Sequence, residues 1–183
     1  MVSIGLDTKP WTHKCVGTII TSNAIFTSSK CLEKIDEMKT ITAGAENLQS
    51  PEPGTYVETY EVKNYVSSET NDLAVVYTTK NMHFNKKTQA ICLPEKASED
   101  LNDITGDYVI FQQKGRDSRF VNNNQCNSWS WLNMTCCSNV CVDLEYQPYQ
   151  FYPKDSGAPL IMEGRNFFEV IGILAPIWMK TTE

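Results

Sequence analysis

The chain has 183 residues, 41% of them hydrophobic and 21% charged, enough to bury the core of one ordinary globular domain. Its 16 basic and 22 acidic residues leave a net charge of −6, with no basic stripe to neutralise phosphates, so nucleic acid is not an expected partner. No apolar run approaches the roughly eighteen residues of a membrane span, and the first residues lack a basic region followed by a long apolar stretch, so neither membrane insertion nor an export signal is read in this chain. In chain order, β-branched and aromatic residues alternate with polar ones over 16–21, 24–27, 56–66, 73–78, 108–112, 158–162 and 167–174, which predicts short strands. Between them lie turn clusters at Gln49-Ser50-Pro51-Glu52-Pro53-Gly54 and Lys114-Gly115-Arg116-Asp117-Ser118. Helical spacing is limited to Leu32, Ile35 and Met38 within 29–38, where a short helical turn is expected. Many short strands separated by turns suggest an all-β barrel or sandwich.

Seven cysteines in a domain of this size argue for an oxidising compartment. The sequon Asn133-Met134-Thr135 points the same way if it carries a glycan, and says nothing if it is a chance tripeptide.

Four motifs occur in order. The run from Cys15 to Cys31 contains Thr27-Ser28-Ser29-Lys30-Cys31, followed by Asn71-Asp72-Leu73-Ala74-Val75-Val76, Ala90-Ile91-Cys92-Leu93-Pro94, and Lys154-Asp155-Ser156-Gly157-Ala158-Pro159-Leu160. Together they resemble the histidine loop, aspartate strand, inter-barrel link and serine loop of chymotrypsin/trypsin-like serine proteases, covering nearly the whole chain. The resemblance implies a single domain over 1–183 made of two six-stranded β-barrels. It also implies that both ends are incomplete. Met1-Val2-Ser3-Ile4-Gly5 resembles the family's first long strand, so Met1 would be an internal residue of a longer secreted precursor. A further strand and a C-terminal helix would follow Glu183.

The same resemblance implies a bridge between Cys15 and Cys31 and another between Cys126 and Cys141. Cys92 resembles the cysteine that tethers an N-terminal pro-region. Cys136 and Cys137 have no family counterpart, and neighbouring cysteines rarely bridge each other. Tyr152 and Met162 stand where two further bridging cysteines are expected.

Lysine stands at the histidine position of this chain. A general base must accept a proton near neutral pH, which an imidazole does and an alkylammonium does not. By resemblance Ser156 is the nucleophile position and Asp72 the residue that orients the base, although a structural aspartate at a strand start fits Asp72 equally well. If Lys30 sits against Asp72, the carboxylate would hold its ammonium in the charged form. His13 and His83 are the two histidines, and both are expected at surface or strand-edge positions. Lys154 replaces the glycine whose amide helps bind the oxyanion, alongside Ser156. Gln150 occupies the floor of the specificity pocket, where trypsin-like enzymes carry an acid. Ala175-Pro176-Ile177 replaces the strand that aligns substrate backbone, and proline removes a donor there. Asp155, which in the family pairs with a newly cleaved N-terminus, has no such partner unless Lys154 folds inward.

The expected function is therefore a secreted, non-catalytic serine protease homologue without cofactor or metal. It would bind an extracellular protein such as a protease or its precursor; its oligomeric state is left open. The alternative is a trypsin-like endopeptidase with residual activity through Ser156 and Lys30, and a third is a truncated product that does not fold by itself. Trp129, Trp131 and Met134 in the loop 122–140 form an aromatic cluster that suits either an interface anchor or packing of that loop onto the second barrel.

Overall fold

The computed structural model describes residues 1–6, 12–32, 40–46, 54–68, 71–94, 105–110, 113–121, 141–143, 153–163 and 168–174. Six strands close a barrel: β1 (Val2–Leu6), β2 (Thr12–Ile19), β3 (Ala24–Thr27), β4 (Thr40–Ala43), β5 (Glu58–Ser67) and β6 (Ala74–Thr78). They run in the order β1-β2-β3-β6-β5-β4, and every pairing is antiparallel. Closure removes the unpaired edges that an open sheet would present to other chains.

The apolar residues dictate this closure. Val2, Ile4, Ile25, Ile41 and Val76 come from four different strands and are all fully buried in one cluster. Along β6 the alternation is regular: Ala74, Val76 and Thr78 are buried while Val75 and Tyr77 are half-buried, the period of two expected of a strand with one face on a core. β2 comes so close to its neighbours that a Cβ on Gly17 would lie 2.5 Å from Ile25 Cγ2 and 2.9 Å from Val2 Cγ2. Only glycine fits there without moving the core. Bulges between Ile4 and Gly5 and between Val62 and Asn64 bend the strands as a small barrel requires.

The remaining strands are β7 (Thr105–Ile110), β8 (Gln113–Val121), β9 (Cys141–Asp143), β10 (Pro159–Glu163) and β11 (Phe168–Ile173). They form a sheet in the order β11-β10-β7-β8-β9. The all-β class is as expected from the sequence. Where the resemblance implies a second six-stranded barrel, the described residues form a five-stranded sheet. Pro159 opens β10, a position where its missing N–H is tolerated.

The segment Ala90-Ile91-Cys92-Leu93-Pro94 joins the two units through the backbone. The amide of Ile91 donates to the carbonyl of Ile19 at 2.9 Å on the barrel side, and the amide of Val170 donates to the carbonyl of Cys92 at 2.9 Å on the other. Cys92 is an exposed free thiol.

One expected turn is a strand. Residues 114–118, with a glycine and three charged side chains, lie inside β8, where Tyr108 faces Arg116 and Asp107 faces Asp117 across the ladder. Pairing with β7 on one side and β9 on the other overrides the local turn composition. The helical turn expected over 29–38 is a 3-10 turn at Lys30–Leu32; residues 33–39 lie outside the described residues, as does the turn cluster at 49–53.

Cys15 of β2 and Cys31 of the 3-10 turn are bridged, with Cα atoms 6.0 Å apart. Closing a loop of this length constrains the unfolded chain by about 3 kcal/mol in the chain-entropy description. The double substitution Cys15→Ala with Cys31→Ala is expected to lower unfolding free energy by about that amount. Urea denaturation of the two proteins under non-reducing conditions measures it.

Candidate active site

Two loops meet on β2. The first runs from the end of β3 into the 3-10 turn at Lys30–Leu32. There the Thr27 hydroxyl donates to the carbonyl of Val16 at 2.9 Å. The second begins with a 3-10 turn at Pro153–Asp155 and enters β10, and the amide of Val16 donates to the carbonyl of Ser156 at 2.9 Å. Both backbone groups of one β2 residue thus anchor the loops that carry Lys30 and Ser156. Gly157 has a φ of +87°, a conformation that side chains with a Cβ rarely adopt. A Cβ at Gly157 would also overlap the carbonyl oxygen of Val16. The glycine is what lets the serine loop lie flat on β2.

Asp72 sits in the bend before β6, half-buried, and its carboxylate is gathered by the first loop. The Ser28 hydroxyl lies 2.7 Å from both oxygens, the Ser29 hydroxyl donates to Oδ1 at 2.8 Å, and the backbone amide of Lys30 donates to Oδ1 at 2.9 Å. Short contacts of this kind to an ionised acceptor are the strong class of hydrogen bond. The ion pair expected between Lys30 and Asp72 is not made: the carboxylate takes the amide of Lys30, while the Lys30 side chain is exposed and enters no ion pair among the described residues. Two hydroxyls within hydrogen-bond reach satisfy the acid locally, so the long lysine side chain is left in water. Ser28 and Ser29 were not singled out in the sequence. Their signal was their place in Thr27-Ser28-Ser29-Lys30-Cys31, three hydroxyls ahead of a position meant to hold a base.

Ser156 is 3% exposed. Its Oγ is buried with no hydrogen-bond partner among the described residues, a situation that costs about 1–3 kcal/mol for an ordinary hydroxyl. No base touches it. Lys154 is exposed, so it does not fold inward toward Asp155, which is half-buried and not without a partner.

His13 overturns its expected surface position, for it is 5% exposed. Its Nε2 lies 3.1 Å from the carbonyl of Lys154 and its Nδ1 2.6 Å from Ser3 Oγ. A carbonyl only accepts, so Nε2 carries the proton and Nδ1 accepts from the Ser3 hydroxyl. Burial pushes the imidazole down to about 4, opposed by the hydrogen bond to the Lys154 carbonyl and assisted by the nearby Lys154 charge. The β1–β2 register passes over Lys14, pairing Ile4 with Cys15 but Gly5 with His13, so strand period counted from Cys15 does not give the face of His13. His83 is exposed as expected, its Nδ1 3.1 Å from Glu58.

Several expected site residues lie outside the described residues: Gln150 and Tyr152, the sequon Asn133, the aromatic cluster Trp129, Trp131 and Met134, the cysteines Cys126, Cys136 and Cys137, and Ala175-Pro176-Ile177. The backbone of Cys141 belongs to β9, but its expected partner Cys126 is among those. Among the described residues no group of three or more His, Cys, Asp or Glu side chains is placed to hold a metal ion. Likewise no helix is long and apolar enough to cross a membrane.

A closed antiparallel barrel joined by an Ile-Cys-Leu-Pro link to a second sheet, with the loop that carries Lys30 and the serine loop pinned to one strand, defines a two-unit all-β fold. The chain matches the trypsin family model over residues 1–182 and belongs to that family, whose activity is that of serine endopeptidases.

His13 gives a signed pH dependence. Its folded pKa of about 4 lies below the ordinary 6.5, so between those values the unfolded chain binds a proton that the folded chain does not, and stability falls as pH drops. The loss amounts to about 3 kcal/mol, complete once pH has passed below the folded value. The difference in unfolding free energy between pH 7 and pH 4 is expected to shrink by about that amount in His13→Gln, measured by urea titration of both proteins.

Proposed function

We propose that this chain is a non-catalytic member of the trypsin family, a secreted module that binds another extracellular protein such as a protease or its precursor. The single observation that carries the reading is the separation of the three triad-equivalent positions into unconnected roles. Asp72 is held by Ser28, Ser29 and the Lys30 amide, the Lys30 side chain is exposed, and Ser156 Oγ is buried with no hydrogen-bond partner among the described residues to take its proton. A serine hydroxyl is inert until a base removes its proton. A serine–lysine dyad needs a desolvated lysine directed at the serine, and an exposed Lys30 is the reverse of that. Lys154 in place of glycine further disfavours the backbone arrangement that would hold an oxyanion. Secretion is supported by the Cys15–Cys31 bridge and by the family. Loops on a rigid barrel serve recognition without any need for turnover.

The test is active-site labelling with a fluorophosphonate near pH 8, on the parent chain and on Lys30→His. Neither is expected to be labelled at Ser156, because burial of the hydroxyl and the Lys154 substitution remain after an imidazole is restored. Labelling of the parent, or peptide turnover lost on Ser156→Ala, would establish instead the residual endopeptidase that uses Ser156 with Lys30.

A further inference from the structure

Asp72 lies beside Lys30 without pairing with its side chain. The backbone amide of Lys30 is 2.9 Å from Asp72 Oδ1, so any side chain at position 30 starts within reach of the carboxylate. Among the described residues the Lys30 side chain nevertheless enters no ion pair and is exposed. The side-chain donors that do reach Asp72 come from the two preceding residues. Ser29 Oγ donates to Oδ1 at 2.8 Å, and Ser28 Oγ lies 2.7 Å from each carboxylate oxygen. Equal distances put the Ser28 hydroxyl on the plane that bisects the carboxylate. An ionised carboxylate offers about four acceptor positions, and three groups of one loop already address this one.

The loop holds those groups in place. Ser28 is fully buried, and a buried hydroxyl that gives up its acceptor loses a hydrogen bond that water does not replace. On either side the chain is fastened: the Thr27 hydroxyl donates to the carbonyl of Val16 at 2.9 Å, and Cys31 is bridged to Cys15. A base introduced at position 30 would therefore compete with donors already in position, and would be ordered at its own entropic cost.

We propose that Ser28 and Ser29 are positioning residues that hold Asp72 as the anchor of this turn and keep it from orienting a base at position 30. This rests on the non-catalytic reading of the site and adds to Lys30 the two side chains that maintain it. Loss of base function is then spread over three consecutive residues, and a histidine at position 30 does not restore it.

The imidazole introduced by Lys30→His reads the state of the carboxylate. Its proton affinity is measured by NMR titration in three proteins: Lys30→His alone, Ser29→Ala with Lys30→His, and Ser28→Ala with Ser29→Ala and Lys30→His. Spectra of the parent chain identify the resonances of His13 and His83, and circular dichroism verifies each fold. With both serines present the new ring is expected to titrate near the ordinary value of about 6.5. With both removed it is expected to pair with Asp72 and to hold its proton about tenfold or more tightly, a gain abolished by adding Asp72→Asn. The Ser29→Ala protein, in which the buried Ser28 is untouched, is expected to show part of that gain, so the outcome does not depend on the triple variant folding. A purely structural role for the serines would leave the titration of the ring unmoved. A ring already held tightly with both serines in place, no gain in either serine variant, or a gain that survives Asp72→Asn would overturn the proposal. Labelling of Ser156 is scored separately on the parent chain, where it would sink the non-catalytic reading without altering the titration.

Discussion

Val16 is the residue on which the site depends. Its amide binds the carbonyl of Ser156, its carbonyl binds the hydroxyl of Thr27, and the same carbonyl lies against Gly157 so closely that no side chain fits between. These contacts fasten the barrel's first loop and the second unit's serine loop to one point of β2. The buried Val16, Ala158 and Leu174 cluster surrounds it, so the hydrogen bonds are made in a low-dielectric environment where they are strong and where breaking them leaves groups unpaired.

Backbone and side chains play different parts at the site. Thr27, Gly157 and the Cys15–Cys31 bridge still shape the loops as a trypsin-family fold requires. At the chemical positions, by contrast, the hydroxyls of Ser28 and Ser29 have taken over the carboxylate of Asp72. Local hydroxyls win this competition over the Lys30 ammonium because they reach the acid without ordering a long flexible side chain.

His13 links the two features. It receives the Ser3 hydroxyl from β1 and donates to the Lys154 carbonyl of the serine loop, making a polar tie between the barrel core and the loop that holds Ser156. As a neutral imidazole it satisfies one acceptor and one donor at once, and burial is what keeps it neutral. The fold thus holds a buried histidine between β1 and the serine loop, but one whose single ring proton is committed to a backbone carbonyl.

By itself the sequence determined the all-β class, the positions of most strands, the Cys15–Cys31 pairing through family resemblance, and the absence of an imidazole at position 30. Those follow from residue identity and from period-two alternation along short segments. Tertiary structure decided what lies between segments distant in the chain. Lys30 and Asp72 looked like an ion pair until the hydroxyls two residues upstream were placed against the carboxylate. Residues 114–118 carried turn composition until two neighbouring strands gave them a ladder, and His13 looked superficial until Ser3 and Lys154 enclosed it. In each case a hydrogen-bond partner supplied by another segment of the fold decided the outcome, and no residue type reveals that partner.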